Sequence, residues 1–62
     1  MTALLSPDPA HVEVDARLAV LMANGSDVES AVRTMAREGW SVRLMAEALA
    51  VTPRQIRAWA LR

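Results

Sequence analysis

Arg54, Arg57 and Arg62 fall within nine residues of one another, and none has an aspartate or glutamate four residues away with which to pair along a helix. A guanidinium presents a planar fork of donors that matches phosphate oxygens or the O6 and N7 edge of a guanine. Arginines left free at helical spacing therefore suit a polyanion. Arg37 is free in the same sense, whereas Arg17, Arg33 and Arg43 have Glu13, Glu29 and Glu47 four residues away. Gln55, in the same stretch, is suited either to an adenine edge or to closing a helix start with Thr52.

Other chemistry finds little material. His11 is the only histidine and there is no cysteine, so a metal site lacks a ligand set and solvent exposure is expected for the imidazole. No Ser/His/Asp set, glycine-rich phosphate loop or convergent carboxylate pair occurs, which argues against an enzyme and against a bound cofactor.

The net charge is zero, yet it is unevenly placed. Residues 1–30 set Arg17 against Asp8, Glu13, Asp15, Asp27 and Glu29, a balance of minus four; residues 31–62 set six arginines against Glu38 and Glu47, a balance of plus four. The chain is a charge dipole along its length.

Sixty-two residues allow one domain, and 53% hydrophobic residues with only 3% aromatic favour helices packed through small side chains. The expected fold is all-α, a small four-helix domain over residues 9–62 behind a flexible tail at 1–8. Asp8 caps a first helix beginning at Pro9, or Ser6-Pro7 starts it two residues earlier, and Asn24-Gly25 ends it. Its apolar stripe is Val14, Leu18, Leu21 and Met22. Ser26 and Glu29 form a capping box for a second helix, with Val28, Val32, Met35 and Ala36 inward, Gly39 as the stop and Trp40 folding back on Met35. Ser41 caps a third, short helix facing inward through Val42, Met45, Ala46 and Leu49. Thr52 as cap, Pro53 at the first helical position and Gln55 as reciprocal partner open a fourth, whose buried face is Ile56, Trp59 and Ala60.

The 100° step of a helix then turns Arg54, Ala58 and Leu61 outward, flanked by Arg57, Gln55 and Arg62. Residues 42–61 resemble the helix-turn-helix of bacterial, phage and plasmid DNA-binding proteins: Ala46 stands at the small position, Met45, Leu49, Val51, Ile56 and Trp59 at the apolar ones, and "TPR" opens the second helix. The turn position usually held by glycine is Ala50, a departure that costs conformational energy if φ is positive there. The general motif is matched, and no subfamily is singled out.

The resemblance implies sequence-specific binding to double-stranded DNA by a transcriptional regulator, a repressor, with Thr52, Pro53, Arg54, Gln55, Arg57 and Ala58 at the duplex; Arg62 and Arg43 are expected to join them, and Arg37, at the end of a supporting helix, to meet at most a phosphate. A homodimer is expected, because one short recognition helix offers few phosphate contacts, and the surplus apolar residues Leu4, Leu5, Val12, Val20 and Leu44 are candidates for its interface. No small-molecule effector is expected. The amino terminus has no basic region followed by an apolar run, so a cytoplasmic protein without membrane attachment is the expectation. The alternative is a small helical module docking on a larger regulator or enzyme through its acidic half.

Overall fold

A computed structural model describes residues 9–62, which form four helices and no strand: α1 (Pro9–Ala23), α2 (Val28–Arg37), α3 (Val42–Leu49) and α4 (Pro53–Ala60). The Asp8 cap, the Ser6-Pro7 start, the tail at 1–8 and the interface candidates Leu4 and Leu5 lie outside the described residues. Helices of eight to ten residues are unstable alone, so each must be held by what it packs against. α1 packs on α2 and α3, and α4 packs on the same two, so α1 and α4 stand across the bundle from each other.

All four helices contribute to one core. Val14 and Leu18 of α1 meet Ala31, Val32 and Met35 of α2, Met45 and Ala46 of α3, and Ile56 of α4. Each fully buried large side chain contributes about 1.5–3 kcal/mol against the entropy of ordering the chain. Leu21, Val28, Trp40, Val42, Leu44, Leu49, Val51 and Trp59 pack around this centre half-exposed. Most of the expected stripe positions lie in or against this core, whereas Ala36 and Ala60 are only half-buried and belong to neither group. Met22 of α1 is exposed, because Leu21 already completes the Val14–Leu18 face and Met22 lies a further 100° round. Ala31, one turn before Met35, is fully buried although it was absent from the predicted face of α2.

The first three helices end by the same wiring. The N–H of Ser26 donates to Leu21 O, that of Trp40 to Met35 O and that of Val51 to Ala46 O, at 3.0–3.1 Å. Gly25, Gly39 and Ala50 each donate to the carbonyl three residues back. This is the Schellman ending, which demands a left-handed residue: φ is +99° at Gly25, +90° at Gly39 and +57° at Ala50. Ala50 therefore adopts the conformation that glycine adopts without strain.

One cap falls elsewhere than predicted. Asp27, not Ser26, starts α2, its carboxylate accepting from Ser30 N at 2.8 Å. The Ser26 N–H is committed to the end of α1, so the chain is released into α2 one residue later. Ser41 accepts from Leu44 N at 3.2 Å and Thr52 from Gln55 N at 3.1 Å, as expected of caps with Pro53 just inside α4. Among the described residues no helix is long and apolar enough to cross a membrane.

Candidate nucleic-acid interface

The outer face of α4 is built from its start. Thr52, in extended backbone conformation, caps the helix, and Pro53 fixes its first turn without leaving a donor unused. Ile56 is fully buried and Trp59 and Ala60 half-buried, which fixes the rotation of the helix. Thr52, Pro53, Arg54, Arg57, Ala58 and Leu61 are left exposed on one helix. Leu61, 88% exposed, is the most exposed large apolar side chain described. Gln55 is half-buried, and its side chain makes no hydrogen bond among the described residues, so the reciprocal half of the predicted box is not formed.

Ion pairs sort the seven arginines. Arg33 meets Glu29 and Arg43 meets Glu47, both at 3.3 Å along their own helices, as the spacing predicts. Arg17 does not pair with Glu13. It reaches across to Glu38, its Nε donating to Oε1 at 3.0 Å and Nη2 to Oε2, because a fork that meets a carboxylate twice outcompetes a single contact along the helix. Trp40 Nε1 donates to the same Oε1 at 2.9 Å. The hydrogen bonds from Arg17 hold the Glu38 carboxyl below the usual carboxylate range, with Trp40 adding to them, and Glu38 raises Arg17 in turn. Asp27 is likewise held low, by the Ser30 backbone N–H and then the Ser30 hydroxyl.

Arg62 is not the free cation its spacing suggests. Its Nη1 lies 2.7 Å from Oε1 of Glu29, a pair between the end of α4 and the first turn of α2 that no local pattern announces. Arg54 and Arg57 on α4, and Arg37 at the exposed end of α2, make no ion pair among the described residues. Arg43 of α3 keeps most of its side chain in solvent while touching Glu47. The predicted residues thus divide in three: Thr52, Pro53, Arg54, Arg57 and Ala58 exposed together, Arg62 and Arg43 exposed but paired, and Gln55 and Arg37 set apart by burial or by helix.

His11 is half-exposed rather than fully solvated, its Nε2 2.7 Å from Glu47 Oε1, joining α1 to α3. With Asp15 and Ala48 these two residues line an open groove of about 340 Å³. One imidazole and two carboxylates on an open rim do not converge on a point.

Compared with protein-family models, curated proteins and solved structures, the chain matches none.

Proposed function

We infer that the protein binds double-stranded DNA through α4, with α3 and α4 acting as a helix-turn-helix and α4 entering the major groove. The observation that carries the reading is the outer face of α4, where Arg54 and Arg57 are exposed with no carboxylate partner among the described residues while Ile56 anchors the opposite side. Arginines with no internal partner retain their charge for phosphates, and one in the first turn of a groove-bound helix is placed to read a base. The turn itself supports the reading: Ala50 is left-handed, Val51 is half-buried, and Thr52 and Pro53 restart the chain at once, as a tight helix-to-helix corner requires.

The biological role proposed is sequence-specific regulation of transcription, most simply repression by occupying an operator. A single α4 brings two free arginines, too few for tight specific binding, so two copies on half-sites about 34 Å apart are proposed to act together.

Selection of bound duplexes from a random pool, followed by anisotropy titration of the winner and a scrambled control at rising salt, tests this. A preference for the selected site and a log–log salt slope of about −2 or steeper are expected. No change in anisotropy with any duplex at low salt would reject DNA binding and return the chain to the protein-docking class.

A further inference from the structure

The outward face of α1 has no partner within the described chain. Val12, Ala16, Ala19, Val20 and Ala23 fall within an arc of about 100° opposite the Val14–Leu18–Leu21 face, and all five are exposed, the two valines at 48%. Asp15 borders this stripe on one edge and Glu13 on the other, and neither makes an ion pair among the described residues. Across the bundle, α4 exposes Ala58 and Leu61 beside Arg54 and Arg57, also unpaired. The described residues thus present two unpartnered faces, each with an apolar centre, one bordered by acids and the other by arginines.

Two-fold pairing of α1 with itself, the simplest use of Val12 and Val20, is disfavoured by those borders. In an antiparallel pair the symmetry axis sets each acidic edge beside its own copy, and in a parallel pair it sets Asp15 beside Glu13; like charge meets like either way. The α4 face carries the charge that complements it. We propose that the outward face of α1 is a docking surface for α4 of a second copy of this chain, Asp15 and Glu13 meeting Arg54 and Arg57 around a contact between the valine–alanine stripe and Leu61. Such a contact is heterologous: each copy keeps one free face of each kind, so it propagates head to tail instead of closing. Its apolar part is two valines, three alanines and Leu61, which places it among weak, salt-sensitive contacts. A consequence that rests on the DNA reading follows, because α4 cannot serve a duplex and a second copy at once: DNA should dismantle the chain of copies.

A charge swap in the full-length protein tests the contact. Sedimentation equilibrium of the wild type at low salt should show a mass that rises with concentration, and about 0.5 M salt should weaken association at least ten-fold. Glu13→Arg/Asp15→Arg and Arg54→Glu/Arg57→Glu should each sediment as a monomer, and their mixture should associate again, because the reversed α1 of one now fits the reversed α4 of the other. Far-UV circular dichroism identical to wild type excludes unfolding as the cause, since none of the four residues is in an ion pair of the described structure. A monomer at every wild-type concentration overturns the proposal, and so does association that survives Arg54→Glu/Arg57→Glu, which would assign the surface to a two-fold contact. Loss of DNA binding with association intact would reject the DNA reading and leave this contact standing.

Discussion

Glu29 holds two arginines from different directions, Arg33 at 3.3 Å from its own helix and Arg62 at 2.7 Å from the end of α4. The second contact ties the last residue of the chain to the first turn of α2. It also takes one of the α4 cations out of the pool available to phosphate. Both side chains are partly exposed, so the pair itself is worth no more than about 1 kcal/mol.

Glu29→Gln should therefore release Arg62 at little cost in stability, while Arg33, which loses the same charge partner, keeps its contact to the Ser30 hydroxyl. If α4 binds DNA, non-specific affinity rises and the salt slope steepens by about one unit as one more phosphate is neutralised. An unchanged slope by anisotropy would mean that Arg62 does not reach the duplex.

Arg54→Ala and Arg37→Ala should differ in kind. Arg54 lies in the first turn of α4, where a bidentate guanine contact gives about 1–3 kcal/mol of discrimination, so its loss should relax preference at one base pair of each half-site. Arg37 closes a supporting helix and should affect all sequences alike. Equal ratios of operator to scrambled binding in wild type and Arg54→Ala would show that this side chain reads nothing.

Acid should destabilise the fold through Glu38 and Asp27. Both carboxyls are held below their ordinary range when folded, so the stability they contribute is complete above that range and is lost as pH falls through it and beyond. Thermal melts between about pH 7 and pH 2.5 should show the midpoint falling at the acid end. Glu38→Gln, which loses the charged contact to Arg17, should melt lower at neutral pH and respond less to acid; parallel curves for variant and wild type would exclude the Glu38 contribution.

Ala50→Gly should stabilise the protein. At φ +57° a Cβ costs about 1–2 kcal/mol, of which glycine returns part against its larger entropy when unfolded, leaving a gain of up to about 1 kcal/mol. Chemical denaturation at equilibrium measures it, and a loss of stability would place the strain elsewhere.

Ile56→Ala removes the one fully buried side chain of α4 and should cost about 2–5 kcal/mol, enough to unfold a domain this small. Retained helical circular dichroism with a cooperative melt would show that α4 is held otherwise.

Much of this fold was legible because its signals are local. Gly25, Gly39 and Pro53 act through their own backbone geometry and Ser41 and Thr52 through a hydroxyl three residues from the amide it caps, so these helix limits follow from residue type. Ser26 misled because two adjacent residues can both cap, and only the competing use of the Ser26 N–H decides between them. The ion pairs Arg17–Glu38 and Arg62–Glu29 and the His11–Glu47 hydrogen bond span 21 to 36 residues, a separation at which no periodicity operates. That is why Arg62 reads as free in the sequence and is held in the structure. The outer face of α4 was legible because it is the complement of Ile56, whereas the exposed stripe of α1 was obscured by a helix apolar nearly all round.

The single deep anchor of α4 has a kinetic meaning. α1, α2 and α3 each bury at least two side chains, while α4 buries only Ile56 fully, supported by half-exposed Trp59 and the Arg62–Glu29 pair. Its amides should therefore exchange with deuterated solvent through local opening before those of α2, which buries three side chains. Any ligand seated on α4 then spends part of its binding energy closing that opening, and slowed exchange confined to α4 would report its arrival.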